Sequence, residues 1–185
     1  MKGIIFTEFL ELVEEKFGLT VLDDILDRAG DEGVYTAVGS YDHRKLVSLI
    51  VHLSQVTGLS VEQLQEVFGE AVFDNLLASI SNRSSLHQCH STFQFIRHVE
   101  EYIHVEVKKL YPDAKPPEFI FIEQDRMKMV FDYKSARCMG HVCLGLMRGC
   151  AKHFGEELAI QMETLNPTGS HVRFNVALVK GKQDG

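Results

Sequence analysis

Residues 119–154 read FIFIEQDRMKMVFDYKSARCMGHVCLGLMRGCAKHF, and the change of pattern within this stretch decides the fold class. A dense apolar run, Phe119–Ile122, leads into a turn at Gln124–Arg126. Side chains then alternate at period two, with Met127, Met129, Phe131 and Tyr133 on one face and Lys128, Val130 and Asp132 on the other. This alternation predicts a β-hairpin. Helical spacing follows from about Cys138 to Phe154, so the stretch predicts two strands and a helix.

The residues after this helix predict a second pair of strands. Alternating apolar side chains flank the turn Asn166–Gly169: Leu158, Ile160 and Met162 before it, and Val172, Phe174, Val176 and Leu178 after it. The tail Lys180–Gly185 is polar, and we expect it to be frayed.

The first 110 residues predict helices. We expect a first helix over Ile5–Phe17 that ends at Gly18, and a second over Val21–Arg28 that Thr20 opens and Gly30 closes. A third helix is capped by Asp42 and ends before Gly58, and a fourth runs from the capping box Ser60–Gln63 to Ile80. A polar loop, Ser81–His90, precedes a helix over Phe93–Leu110, which Pro112, Pro116 and Pro117 end. Helices followed by four strands around one helix predict an α+β fold with a four-stranded antiparallel sheet.

Composition limits the classes of protein to consider. A chain of 185 residues, 45% of them hydrophobic, fits a single domain. The 19 basic and 26 acidic residues leave a charge of −7, and the densest basic cluster is Lys108–Lys109, which argues against nucleic-acid binding. No apolar run approaches the roughly 20 residues of a membrane span, and Glu8 and Glu11 interrupt the N-terminal apolar residues. We therefore expect a cytoplasmic protein that binds neither nucleic acid nor membrane.

The four cysteines, Cys89, Cys138, Cys143 and Cys150, form no CxxC pair, and we expect thiols in a reducing compartment. Three of them share the predicted helix after the hairpin with His141 and His153. Two or three of these side chains on one face would suit zinc, whereas small buried thiols fit the same spacing. The sequence leaves a zinc or redox role of these cysteines open.

His104 is one of nine histidines and lies at the edge of an apolar helix face, shortly before the proline-rich turn. A neutral imidazole in this position can ligate a metal in a cavity. A histidine that only packs where two helices meet fits the same position.

Tyr133, Ser135 and Arg137 occupy every second position at the end of a predicted strand, just before a helix. Extended backbone places such side chains on one side. A phenol, a hydroxyl and a guanidinium beside a helix N-terminus form a receptor for carboxylates. An ordinary strand end, helix cap and solvated arginine would show the same residues.

Signatures of catalysis are absent from the sequence, which has no Gly-rich phosphate loop, HExxH, GxSxG or redox CxxC. Paired carboxylates such as Glu14–Glu15 lie on predicted exposed helix faces. We therefore expect no enzymatic activity.

Taken together, three features resemble the H-NOX (haem nitric oxide/oxygen binding, HNOB) family, which includes the haem domain of soluble guanylate cyclase. They are the MKGIIF run at Met1–Phe6, His104 followed by Pro116–Pro117, and Tyr133-x-Ser135-x-Arg137. The resemblance implies one domain over residues 1–185 folded around haem b. It implies a helical distal part at about 1–60, a proximal α+β part at about 61–180 and a frayed tail at 181–185.

The resemblance also implies roles for individual residues. His104 would be the proximal ligand of the haem iron, and Tyr133, Ser135 and Arg137 would hold the propionates. Ile5 and Pro117 would press on the porphyrin and bend it, and Gly69 matches a family glycine. The residues implied for the distal pocket are Phe9, Val72, Phe73, Leu76, Val142 and Leu146.

One departure from the family pattern bears on ligand choice. Members that bind oxygen carry a distal tyrosine where Val142 stands here, and polar residues where Phe9 and Val72 stand. Bound oxygen needs a hydrogen-bond donor more than NO or CO does. Losing such a bond removes about 1.5–3 kcal/mol, roughly tenfold to hundredfold in affinity. We therefore expect NO and CO to be favoured over oxygen.

The resemblance implies a nitric oxide sensor in which NO releases His104 and the helix Phe93–Leu110 relaxes. It implies a signalling partner such as a histidine kinase of a two-component system or a cyclic-di-GMP enzyme. A haem or diatomic-gas carrier without a signalling role is the alternative. A haem-free helical interaction module, in which His104 and Arg137 are structural, is a third hypothesis.

Overall fold

The computed structural model describes residues 1–80, 86–112 and 114–181. The N-terminal part consists of four helices: α1 (Gly3–Phe17), α2 (Leu19–Ala29), α3 (His43–Thr57) and α4 (Val61–Ser79). A longer helical run follows, made of α5 (Thr92–His98), a π-helical segment (Val99–Ile103) and α6 (His104–Leu110). The last part contains β1 (Glu118–Gln124), β2 (Lys128–Lys134), α7 (Gly140–Phe154), β3 (Glu157–Thr164) and β4 (His171–Lys180). The predicted α+β class is confirmed.

Helix boundaries follow local capping chemistry. Asp42 accepts a hydrogen bond from the Arg44 amide, and Ser60 and Gln63 form the reciprocal capping box that the sequence predicts. The prediction that Thr20 opens α2 is wrong. Gly18, with φ 87°, both ends α1 and caps α2, because a glycine at positive φ lets the chain turn within one residue.

The strands form one antiparallel sheet in the order β1-β2-β4-β3. Its inner face packs on α5 and α7 through the predicted apolar set: Met129, Phe131, Tyr133, Val172, Phe174 and Val176. Leu158, Ile160, Met162 and Leu178 pack partly buried against this core. Met127, predicted to face it as well, precedes β2 in the hairpin turn and is exposed.

The outer face of β2 departs from the predicted alternation. Val130 and Asp132 are only 6% and 7% exposed, because β2 is a central strand with neighbours on both sides. Arg173 Nε lies 2.7 Å from Asp132 Oδ1, and His171 Nε2 lies 2.8 Å from Asp132 Oδ2. These partners hold the pKa of Asp132 below its usual range, the Arg173 hydrogen bond having the largest effect.

Two predicted helices have different bounds in the structure. The helix predicted as continuous over Phe93–Leu110 contains a π-helical turn, in which the His104 amide bonds to the Val99 carbonyl. The helix predicted from Cys138 begins at Gly140. Cys138 has a φ of 54°, which no right-handed helix accommodates.

Helices α4 and α7 approach each other at backbone contact distance. A Cβ on Gly69 would overlap the Val142 carbonyl oxygen, and one on Gly145 would overlap the Glu66 carbonyl oxygen. The side-chain pairs Glu66–Arg148, Glu70–Lys152 and Asp74–His153 also join α4 to α7. This pairing fixes the position of Val142 relative to the side chains of α4.

The predicted polar loop and tail fall partly outside the described residues. Residues 81–85 and 182–185 lie outside them, whereas Leu86–Gln88 forms a 3₁₀ turn and Lys180 is the last residue of β4. Among the described residues, none of the helices has the length and apolar character that crossing a bilayer requires.

Candidate functional site

His104 lies where the π-helical segment meets α6 and is 9% exposed. Its Nδ1 is 2.7 Å from Glu100 Oε2, and its ring packs edge-on against Phe119 with centroids 5.2 Å apart. Burial lowers the pKa of His104 despite the opposing effect of Glu100, so the imidazole is neutral. A carboxylate only accepts hydrogen bonds, so Nδ1 carries the proton and Nε2 has the lone pair that binds metals.

The triplet Tyr133, Ser135 and Arg137 spans the end of β2 and the turn at residues 136–137 that follows it. Tyr133 is buried, and Ser135 and Arg137 both act on the pKa of its hydroxyl, in the direction opposite to burial. Ser135 Oγ accepts a hydrogen bond of 3.2 Å from the Arg137 amide. Burial raises the pKa of Tyr133, so its hydroxyl stays protonated and can donate. The group therefore offers a phenol, a hydroxyl and a guanidinium within one turn of chain.

Arg137 is half-buried, and among the described residues no carboxylate pairs with its guanidinium. Burial lowers its pKa. Burial also lowers the pKa of His104, of His43 and of the N-terminal amine, and the charge of Arg137 adds to the lowering at each. Arg137 therefore lies near the start of the chain, the start of α3 and His104. A buried charge without a counter-ion is unfavourable, so this position fits an anionic ligand group.

The turn that carries Arg137 is conformationally strained. Cys138 occupies the left-handed region, which costs a non-glycine residue about 1–2 kcal/mol. Such strain is common at binding sites, where the surrounding structure holds it in place. Here it redirects the chain from β2 into α7 and leaves Arg137 between them.

Five of the six residues predicted for the distal pocket, and Ile5, belong to one apolar cluster with the cores of α1 and α4. These residues are Ile5, Phe9, Val72, Leu76, Val142 and Leu146. The sixth, Phe73, packs instead against Phe95 and Cys150 in a separate cluster, which Leu146 also contacts. Successive helix residues point about 100° apart, so Phe73 leaves the face that Val72 occupies.

Two tyrosines that the sequence analysis did not single out pack against the same cluster. The Tyr35 hydroxyl donates to Asp31, and the Tyr41 hydroxyl is hydrogen-bonded to Thr36. Both hydroxyls are thus engaged by residues of the segment that joins α2 to α3. No motif in that segment signals this packing.

Pro117 is partly exposed and directly precedes β1. Lys2 Nζ lies 3.3 Å from the centroid of the Tyr111 ring, which brings the start of the chain to the end of α6. The structure thus brings the segment just before Ile5 to Tyr111 at the end of α6, six residues before Pro117.

The cysteines and histidines of α7 do not converge. Cys143 and Cys150 are buried in different clusters, and burial raises the pKa of Cys143 to about 12. His141 and His153 pair with Glu66 and Asp74 on α4. In the part of the chain that the structure describes, no group of three or more His, Cys, Asp or Glu side chains could hold a metal ion.

Glu100 is the site residue that the sequence analysis missed. Its position four residues before His104 on a predicted helix was the available signal. Glu100 Oε2 also accepts a hydrogen bond of 3.1 Å from the Phe119 amide, a contact that sequence spacing does not reveal.

Comparison with known proteins identifies a family model and several solved structures that resemble this chain. The family model described as Haem-NO-binding (HNOB) matches residues 2–162. The structure of the Fe(II) unliganded H-NOX protein from K. algicida is 36% identical, with a TM-score of 0.91 over 100% of both chains. The IWP-051-bound H-NOX from Shewanella woodyi in the Fe(II)CO state is 33% identical, with a TM-score of 0.80 over 100% of this chain and 98% of that chain.

The H-NOX protein from S. oneidensis in the Fe(II)NO state has a TM-score of 0.85 over 97% of this chain and 100% of that chain. At 24% identity it supports the fold alone. The search of curated proteins found no match. The family match over most of the chain, together with the 36% identity to a full-length H-NOX structure, shows that this chain belongs to the H-NOX (HNOB) family of haem-binding gas-sensor domains.

Proposed function

We propose that this protein senses nitric oxide through haem b, binds NO and CO in preference to oxygen, and signals to a partner protein. The observation that carries the proposal is the half-buried Arg137 guanidinium, which lacks a carboxylate partner among the described residues and acts electrostatically on the neutral His104. Haem is a ligand with both complementary groups, an iron for the imidazole and carboxylates for the guanidinium.

In this proposal His104 holds the iron through Nε2, and Tyr133, Ser135 and Arg137 bind the propionates. Ile5 and Pro117 press on the ring from the N-terminal helices and from the start of β1. Bound haem supplies a ferrous iron that takes a diatomic ligand opposite an imidazole. Residues of about 1–60 form the distal part of the domain, and residues of about 61–180 form the proximal part.

The preference for NO rests on the apolar character of the distal residues. Phe9, Val72 and Val142 offer no hydrogen-bond donor in their side chains. The two tyrosines packed against the same cluster have their hydroxyls engaged by Asp31 and Thr36. Oxygen therefore lacks the donor that would hold it, whereas NO and CO do not depend on one.

The signal begins at His104, which joins the π-helical segment to α6. His104 would attach the start of α6 to the iron, and Tyr111, which directly follows α6, contacts Lys2. A shift of α6 would thus reach the N-terminal helices. The partner in this proposal is a histidine kinase or a cyclic-di-GMP enzyme.

The first test is the absorption spectrum of the haem-loaded, reduced protein without oxygen, before and after NO, followed by exposure of the NO-free protein to air. We expect a histidine-bound spectrum that changes to one without histidine on NO addition, and no stable oxygen binding in air. Failure to take up haem would overturn the proposal, and stable oxygen binding would overturn the preference for NO.

The second test separates a sensor from a carrier. His104→Gly supplied with free imidazole should bind haem and NO but lose the NO-dependent effect on a partner kinase, because the imidazole is no longer part of α6. An effect equal to that of the wild type would contradict the proposed release of His104. A wild-type protein with the expected spectra and no ligand-dependent effect on any kinase would be a carrier.

A further inference from the structure

We infer that Glu100 is a positioning residue for His104, which sets the strength of the bond that His104 makes through Nε2 and so the ease with which His104 is released. This inference rests on the proposed function, because it takes His104 as the iron ligand. It adds a residue that the family resemblance did not supply.

One oxygen of Glu100 connects two parts of the fold. Oε2 lies 2.7 Å from His104 Nδ1 and 3.1 Å from the Phe119 amide nitrogen. The side chains of His104 and Glu100 are 11% and 21% exposed, so water has little access to the pair. Hydrogen bonds to a charged acceptor are short and strong in such surroundings.

The π-helical turn gives Glu100 and His104 an unusual backbone relationship. In a regular α-helix the His104 amide would bond to the Glu100 carbonyl, but here it bonds to the Val99 carbonyl, five residues back. The link from His104 to Glu100 is therefore made by the side chain. Because the same carboxylate holds the Phe119 amide, the imidazole is tied to β1 as well as to its own helix.

The neighbouring charges leave Glu100 as the acidic partner of His104. Glu101, the next residue, pairs with Arg97 at 3.5 Å. Lys108 and Arg137, the other charges that act on His104, are both cationic. Among the described residues whose charges act on His104, only Glu100 places a carboxylate within hydrogen-bond distance of the ring.

Two consequences follow from a carboxylate on Nδ1–H. The hydrogen bond fixes the tautomer and the ring orientation, and it increases the electron density at Nε2. A more basic Nε2 makes a stronger bond to a metal, so Glu100 opposes the release of His104. After release, the ring stays tied to β1 through Glu100, which limits its movement and transmits the change to the sheet.

The experiment compares Glu100→Gln with Glu101→Gln in the haem-loaded protein. Glutamine keeps the shape and one acceptor but removes the charge, and Glu101→Gln is the matched control one residue away. Resonance Raman spectroscopy of the unliganded ferrous protein should show the iron–histidine stretching band at lower frequency in Glu100→Gln only. Loss of His104 after NO addition should be about tenfold to hundredfold faster, the range typical for loss of a group that orients a metal ligand.

A second measurement needs no change at Glu100. In His104→Gly, the ligand is supplied either as imidazole, which has an N–H for Glu100, or as N-methylimidazole, which has none. We expect the frequency of the iron–imidazole stretching band to be lower with N-methylimidazole than with imidazole. This difference should be larger in the protein than for the same two ligands on free haem. This comparison decides the matter if Glu100→Gln does not fold.

The outcomes distinguish the two proposals. A wild-type band that is unchanged in Glu100→Gln, or an N-methylation effect equal to that on free haem, would overturn the inference and leave the proposed function intact. Absence of the band from the wild-type haem protein would overturn His104 as the iron ligand, and the inference with it.

Discussion

Arg137 is placed to bind an anionic ligand group, but its position lowers the stability of the protein when no ligand is bound. Its guanidinium is half-buried and lacks a carboxylate partner among the described residues. The next residue, Cys138, has a strained backbone with a φ of 54°. Natural chains keep such unfavourable features mainly where function requires them.

Replacement of this arginine should weaken haem binding without lowering the stability of the haem-free protein. We expect Arg137→Ala to retain haem about tenfold to hundredfold less tightly, because hydrogen bonds to charged groups contribute roughly 1.5–3 kcal/mol. The haem-free variant should be at least as stable as the haem-free wild type, because an uncompensated charge is gone. Haem dissociation rates and urea denaturation measure the two effects, with Arg126→Ala as the control. A large loss of stability without haem would show that Arg137 has a structural partner.

Val142 packs against the apolar cluster that contains the cores of α1 and α4, and its side chain contributes no hydrogen-bond donor. We expect Val142→Tyr to slow oxygen dissociation from the ferrous protein by about tenfold to hundredfold, because one donor is restored. Stopped-flow measurement of oxygen release tests this, and Val142→Phe, which has the ring without the hydroxyl, is the control. Equal behaviour of the two variants would mean that the donor does not reach the ligand.

At the scale of elements, the pairing of α4 with α7 depends on glycines. Gly69 and Gly145 allow the two backbones to touch, and Gly149 allows Phe73 to pack close to α7. A larger residue at these positions would separate Val72 from Val142. The glycines therefore determine the shape of the apolar cluster as well as the stability of the helix pair.

Gly145→Ala should destabilise the protein by about 1–3 kcal/mol, the usual cost of overpacking. The new methyl group would meet the Glu66 carbonyl, which cannot move without shifting α4. The gain in helix propensity, about 1 kcal/mol, offsets part of this cost. Urea denaturation measures the difference. Gly140→Ala at the start of the same helix is the control, because its methyl group would meet only side chains, those of Val172 at 3.2 Å and Met162 at 3.5 Å, and no backbone atom. Equal effects would show that α4 and α7 can separate freely.

The helical run from α5 to α6 is the second element with a functional consequence. Its π-helical turn has no buried residues, whereas α5 on one side and His104 on the other are buried. An irregular turn between two anchored segments is where a helix can change its geometry with few packing contacts to break. This location suits the proposed release of His104.

At the scale of the molecule, haem would bridge parts of the chain that otherwise have separate cores. One core belongs to α1–α4, and another to the sheet with α5 and α7. The proposed haem contacts come from both: Ile5 and Phe9 from the first, and Tyr133 from the second. In the proposal the haem would thus contact both cores.

Haem loading should therefore raise the thermal stability of the whole chain. At a free haem concentration a thousand times the Kd, binding contributes about 4 kcal/mol to the free energy of unfolding. Scanning calorimetry of haem-free and haem-loaded protein tests this, with zinc protoporphyrin as a comparison that keeps the propionates. An unchanged melting temperature would mean that haem does not bind the folded protein in preference to the unfolded chain.

Much of the fold was predictable from local pattern. Period two along Phe131 and Tyr133 identified β2, and the capping box at Ser60 identified the start of α4, because backbone geometry repeats side-chain directions within a few residues. Local spacing also singled out Tyr133, Ser135 and Arg137, although the chain turns at residues 136–137 and does not stay extended as the spacing assumes. His104 was recognisable as a candidate ligand from its position and from the family resemblance.

The tertiary structure alone decided which groups meet across the chain. Periodicity reports only whether a face is apolar, so it missed the burial of Asp132 by Arg173 and His171. The family resemblance grouped Phe73 with Val72, whereas Phe73 packs against Phe95 and Cys150. The link from His104 through Glu100 to Phe119 joins residues up to 19 positions apart in sequence. The lack of a carboxylate partner for Arg137 among the described residues is likewise a property of its surroundings. Local sequence determines the direction of a side chain, whereas its partners depend on how distant segments pack.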